Sequence, residues 1–110
     1  MTVPRKVVLA PDILIASLYD AEARAILYQW RDGNVVPVVT RDLLLLYLRT
    51  LRQAGLGPEL VRKWSLWLTA ADKVIYREDF QANHSSGLGL CREVAAANGA
   101  HLVTREKHSR

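Results

Sequence analysis

The sequence predicts an α/β domain with three layers, in which helices cover both faces of a central parallel sheet of about four strands. Short apolar, β-branched runs alternate with longer segments of helical periodicity. The first run, residues 7–9, is apolar without interruption, which is typical of a strand buried on both faces. The chain has 110 residues, half of them hydrophobic, so we expect one domain over residues 1–110 with its own core.

The first strand leads into two helices. Pro11 suits the first position of a helix, and residues 13–18, which are apolar apart from Ser17, continue it. A second helix is predicted over residues 21–31, because apolar residues recur there at helical spacing and Asp-Gly-Asn at 32–34 provides a stop. Asp12 follows the first strand directly, and parallel α/β sheets bind ligands at the carboxyl ends of their strands.

The middle of the chain repeats this arrangement. Residues 35–39 predict a second strand, and Pro37 indicates that it lies near a sheet edge or begins irregularly. Thr40 is a suitable N-cap for a helix over residues 41–53. The next helix, over residues 58–70, has an apolar face whose tryptophans are more typical of a core than of a base-stacking platform; this face comprises Leu60, Val61, Trp64, Trp67 and Leu68.

The last third supplies two more strands and a helix between them. A short strand is predicted over residues 73–76. A helix begins after Ser85 or Ser86, either of which can cap it, and it ends before Gly99. Residues 101–104 predict the last strand, so strands and helices alternate as in a parallel sheet.

Composition narrows the class of protein. Fifteen Lys and Arg against eleven Asp and Glu give a formal charge of +4, which favours an anionic partner such as RNA or an acidic protein segment. The single cysteine, Cys91, predicts a small buried hydrophobe and neither a disulfide nor a zinc site. Neither an uncharged apolar run of membrane length nor a signal peptide is found, so we expect a cytoplasmic protein without a membrane partner.

The predicted helix over residues 41–53 carries more apolar residues than one buried stripe requires. Seven of them lie between Leu43 and Leu51. Such a helix is either buried on several sides within the domain or shared with a second copy or a partner protein. Leu45 and Leu48 are the candidate interface residues of a homo-oligomer.

Several segments of the chain together resemble the PIN-domain family, the metal-dependent nuclease module of many bacterial toxin–antitoxin pairs. They are, in the family's order, Leu9-Ala10-Pro11-Asp12 before an apolar helix, Trp30-Arg31-Asp32-Gly33 before a strand, then Thr40, Leu43-Leu44, Tyr47 and residues 100–107. Most of the chain can be laid on the family, although the family usually continues with a further helix and strand. The resemblance implies a cytoplasmic toxin component with RNA as its substrate and an antitoxin as its partner.

The resemblance also shows where metal ligands would be expected. PIN nucleases gather carboxylates at the strand ends so that Mg²⁺ or Mn²⁺ can hold the phosphate and generate hydroxide. The first family acid maps to Ala10, with Asp12 as a stand-in, and the second maps to Leu46. The third falls within residues 84–88, which contain no carboxylate, and the fourth maps to Glu106. The metal site is therefore expected to be degenerate, with no specifically bound ion.

Three hypotheses remain open. In the first hypothesis, the chain is a PIN-like domain that has lost catalysis and binds RNA or a protein. Alternatively, it is an active Mg²⁺- or Mn²⁺-dependent endoribonuclease with Asp12 and Glu106 as catalytic residues and Glu93 or Asp79 as replacement ligands. The third hypothesis is an interaction module without a nucleic-acid role, built around the leucine-rich residues 43–51. The first and third need no cofactor.

The basic end of the chain is the candidate nucleic-acid site. Arg105, Glu106, Lys107 and His108 stand where the family's closing motif has a glycine and two aspartates, and Arg110 follows. Arg105, Lys107 and His108 are the candidate nucleic-acid-binding residues. A site that loses acids and gains bases is expected to attract phosphate without a bridging cation. The alternative is a disordered basic tail.

Overall fold

The computed structural model describes residues 4–70, 72–78 and 87–104. Within these ranges the strands are β1 (Arg5–Leu9), β2 (Val35–Thr40), β3 (Ile75–Arg77) and β4 (His101–Val103). The helices are α1 (Pro11–Ala16), α2 (Ala21–Arg31), α3 (Arg41–Gln53), α4 (Pro58–Leu68) and α5 (Gly87–Asn98). The predicted alternation of strands and helices is confirmed.

The four strands form one parallel sheet in the order β3-β2-β1-β4. Its central strand β1 pairs with β2 on one side, where Lys6 lies opposite Val36, and with β4 on the other. The consecutive residues Val7, Val8 and Leu9 are all buried, so side chains on both faces of β1 are covered. The predicted three-layer α/β/α fold with a parallel sheet is confirmed.

Pro37 lies in β2, next to the edge strand. The short strand β3 pairs only with the residues that follow the proline, beginning with Val38 opposite Ile75. Pro37 itself lies opposite Val7 of β1. The residue that cannot donate a backbone hydrogen bond thus precedes the segment that β3 covers, in agreement with the predicted position near an edge.

Helix capping explains why two predicted helices have the observed bounds. Thr40 caps α3, because its Oγ1 accepts a hydrogen bond of 3.1 Å from the backbone N–H of Leu43. Asp20 caps α2 in the same way, accepting from the N–H of Glu22. At the end of α5, Gly99 adopts a φ of 62°, which only glycine enters without strain.

Three other predicted elements have different bounds. Helix α1 begins at Pro11 and ends at Ala16, since Ser17 donates its hydroxyl to the carbonyl oxygen of Leu14 and the chain turns there. Helix α4 ends at Leu68, not at residue 70. Strand β3 begins at Ile75, because the N–H groups of the two preceding residues bond to the carbonyl of Ala70 in a turn. The predicted caps Ser85 and Ser86 lie outside the described residues.

The core extends from the sheet to a cluster of three tryptophans. Trp30 is almost fully buried, and its indole N–H donates to the carbonyl oxygen of Lys73 at 2.9 Å. Its ring lies 6.5 Å from that of Trp64 and 5.2 Å, edge-on, from that of Trp67. Cys91 is buried among core residues, as predicted. Among the helices of the described ranges, none has the length and apolar character that a membrane crossing demands.

Candidate functional site

The carboxyl edge of the sheet brings together residues far apart in the sequence. Asp12 lies in the first turn of α1, directly after β1. The hydroxyl of Thr104, just beyond β4, donates to Asp12 Oδ2 at 3.1 Å. The N–H of Ala10 donates to the carbonyl oxygen of Val103 at 2.8 Å, which fixes the ends of β1 and β4 beside each other. Asp12 is therefore held at the position that parallel sheets use for ligands.

Two neutral groups lie beneath this edge. The phenol of Tyr47, from α3, donates a 2.6 Å hydrogen bond to the carbonyl oxygen of Leu9 at the end of β1. Burial raises the pKa of Tyr47 well above its usual value, and the neighbouring Cys91 adds to the shift. Burial likewise raises the pKa of the Cys91 thiol to about 11, with a further contribution from the Asp12 carboxylate. Both shifts favour the neutral forms of these two groups.

The described residues do not fit a metal ion of the kind that the PIN resemblance implies. Ala10 and Leu46, which stand at two of the expected ligand positions, are both buried and apolar. Asp12 accepts a hydrogen bond from Thr104. Within the part of the chain that the structure describes, no group of three or more His, Cys, Asp or Glu side chains could hold a metal. Asp12 and half-buried Glu93 of α5 thus belong to no such group.

The remaining predicted ligands and the predicted nucleic-acid residues lie outside the described ranges. These residues are Asp79, Arg105, Glu106, Lys107 and His108. The nuclease hypothesis and the hypothesis of a basic phosphate site therefore stay predictions.

The two candidate interface residues of α3 differ in exposure. Leu45 is 58% exposed, whereas Leu48 is half-buried and packs against the core. Leu43, Tyr47 and Leu51 are fully buried. The surplus of apolar residues in α3 is thus mostly internal, and Leu45 alone among these five side chains is largely open to solvent.

A second region with the features of a binding site lies between α2 and α4. It is an open groove of about 440 Å³, which we call the aromatic groove. Its apolar and aromatic lining residues are Leu18, Leu27, Tyr28, Leu60, Trp64 and Trp67. Trp67 is 42% exposed and Tyr28 is 47% exposed, so the rings are accessible. The expectation that Trp67 belongs to the core is therefore only partly right, because its ring packs against that of Trp30 but remains 42% exposed.

The charged side chains of the aromatic groove share one sign. Arg24, Arg31 and Lys63 line it, and no acidic residue does so among the residues that the structure describes. The guanidinium of Arg31 lies 4.8 Å from the centre of the Tyr28 ring and also pairs with Asp32. Arg24 donates to the carbonyl oxygen of Ser17 at 3.0 Å. The groove thus combines aromatic surface with basic side chains.

Sequence reasoning did not find the aromatic groove. The related pattern was the single apolar face of α4, at residues 60, 61, 64, 67 and 68, which was interpreted as core. The sequence alone does not show that α2 lies beside α4. This neighbourhood is what places Tyr28 and Trp67 in the same aromatic groove.

No protein-family model matches the chain, and no curated protein matches it.

Proposed function

We propose that this protein is a PIN-like domain that has lost most of its metal-binding carboxylates and acts by binding a partner protein. The aromatic groove is its binding site, and an acidic, amphipathic segment, such as an antitoxin would contribute, is its ligand. The observation that carries the proposal is the groove itself, in which exposed aromatic rings lie among basic side chains.

The composition of the groove favours a protein ligand. Aromatic residues and arginine dominate the binding energy of protein interfaces, and two helices with an apolar cleft between them suit an amphipathic helix. Its apolar face would contact Trp67, Leu60 and Tyr28. Acidic side chains along its flanks would meet Lys63 and Arg31, which gives a preference of charge as well as of shape.

The sheet edge supports loss of the nuclease chemistry. Buried Ala10 and Leu46 offer no oxygen ligand, and Asp12 is engaged by Thr104. Mg²⁺ is bound through carboxylates together with phosphate and water, and one carboxylate is a poor site. The active-endoribonuclease hypothesis depends on Glu106 and on Asp79 or Glu93.

The proposal is tested with a fluorescein-labelled helical peptide that carries leucines at positions i, i+3 and i+7 and glutamates on both flanks. We expect saturable binding by anisotropy. Trp67→Ala should weaken it about tenfold or more, because a central aromatic contact is removed. Lys63→Glu should also weaken it, since it places like charges opposite each other.

Each variant has a matched control on the same helix. Leu66 is 62% exposed but does not line the groove, so Leu66→Ala should leave the affinity within about twofold. Arg62→Glu has the same change of charge as Lys63→Glu and should have a smaller effect. Equal affinity for a peptide with lysines in place of the glutamates, or equal losses in variants and controls, would contradict the proposal.

A further inference from the structure

A second exposed surface lies on α3, away from the aromatic groove. Its side chains face an open groove of about 560 Å³ between α3 and α5. We call it the α3 stripe, and it consists of the exposed residues Asp42, Leu45, Arg49 and Arg52. Leu46 and Leu90, both buried, form the apolar floor beside it. Among the described residues, no ion pair involves Asp42, Arg49 or Arg52.

The spacing of the charges along this stripe is nearly symmetric about Leu45. With a rise of about 1.5 Å per residue, Asp42 lies roughly 4.5 Å before Leu45 along the helix axis and Arg49 roughly 6 Å after it. Arg52 follows one turn later. Asp42 thus lies on one side of an exposed leucine, and Arg49 lies at a similar distance on the other side.

From this pattern we infer that two copies of the chain associate through their α3 stripes, antiparallel about a two-fold axis close to Leu45. A two-fold axis brings the same patch of both copies together, so a patch that carries complementary charges on its two sides is satisfied twice. Asp42 of each copy would lie opposite the partner's Arg49, roughly 1.5 Å from it along the helix axis. The two Leu45 side chains would meet at the axis.

This distribution of charge favours a second copy of the chain as the molecule that binds the α3 stripe. The charged side chains that line the aromatic groove are all basic, so two copies facing each other there would repel. The α3 stripe carries both signs, which an antiparallel copy matches. Self-association through α3 leaves the groove between α2 and α4 open, so the inference does not depend on the proposed function.

The experiment is charge exchange, followed by sedimentation velocity of the full chain over a range of concentrations. Asp42→Arg and Arg49→Asp should each weaken self-association about tenfold or more, because each places like charges across the axis. A mixture of these two variants should form a heterodimer, since every ion pair is then restored. The double variant Asp42→Arg with Arg49→Asp should associate as the wild type does.

Further variants distinguish loss of self-association from loss of folding. Leu45→Lys should be monomeric, while its circular dichroism stays that of the wild type. Glu59, the exposed acid in the first turn of α4, is the matched control for Asp42, and Glu59→Arg should leave association unchanged. A wild type that stays monomeric would overturn the inference. Single variants that associate normally would also overturn it, as would a mixture and a double variant that both stay monomeric. If Asp42→Arg does not fold, the self-association of Arg49→Asp and of Leu45→Lys tests the inference.

Discussion

The carboxyl edge of the sheet and the aromatic groove are built in opposite ways. At the edge, Asp12 accepts a hydrogen bond from Thr104, and the phenol of Tyr47 donates one to the carbonyl oxygen of Leu9. Buried apolar residues, among them Ala10 and Leu46, lie nearby in the core. In the groove, aromatic rings and basic groups remain open to solvent. Among the described residues, the polar groups at the place where parallel sheets usually bind ligands are thus engaged in hydrogen bonds within the chain, whereas the aromatic groove leaves its rings exposed.

This contrast has an energetic basis. A buried polar group is tolerated only when it has a hydrogen-bond partner, and no buried side-chain nitrogen or oxygen of the described residues lacks one. The edge therefore contributes to stability. Exposed aromatic rings such as Trp67 gain little from their position in the isolated chain, but they can release bound water when a partner covers them.

The largest expected effect comes from returning acids to the edge. Ala10→Asp combined with Leu46→Glu places two carboxylates at buried positions, where burial and mutual repulsion raise their pKa values. We expect the free energy of unfolding to fall by at least about 3 kcal/mol, measured by urea denaturation without divalent metal. Leu60→Glu, at the rim of the groove, should cost less than about 1 kcal/mol. Similar losses at both places would remove the contrast between them.

A smaller effect is expected at alkaline pH. Because the pKa of Cys91 is raised from 9.0 in the unfolded chain to about 11, the unfolded state loses its proton first as the pH rises. This contribution to stability is complete below pH 9.0 and is lost as the pH rises towards about 11. It amounts to on the order of 2 kcal/mol. Urea denaturation across this range should show a shallower decline for Cys91→Ala, and the full decline for Leu60→Ala; identical slopes would show that Cys91 is not the source.

Much of the fold could be predicted from local signals. The cap at Thr40 and the periodicity after it determine the bounds of α3, and the stop at 32–34 determines the end of α2. Strand β3 was less predictable, because a turn at Ala70 takes up the N–H groups that an isolated sequence assigns to a strand. Local sequence patterns predict hydrogen bonds within a helix or turn well. They do not predict which of two neighbouring segments forms a hydrogen bond when both could.

The candidate sites depend on contacts between distant residues. Asp12 was identified from its place after a strand, but its pairing with Thr104 joins positions that no short motif connects. Likewise, the exposed aromatic surface exists because α2 and α4 are neighbours. Hydrophobic periodicity predicts which face of a helix is apolar, but not which other helix lies against that face.

A calorimetric titration of Mn²⁺ into the full chain, which includes Asp79 and Glu106, tests whether the sheet edge has lost its metal site. We expect no stoichiometric heat for the wild type, because Ala10 and Leu46 supply no ligand. The Ala10→Asp, Leu46→Glu variant, kept at low temperature to remain folded, is the comparator and should gain measurable affinity. Tight binding of one ion per wild-type chain would show that the metal site is intact and would restore the nuclease hypothesis.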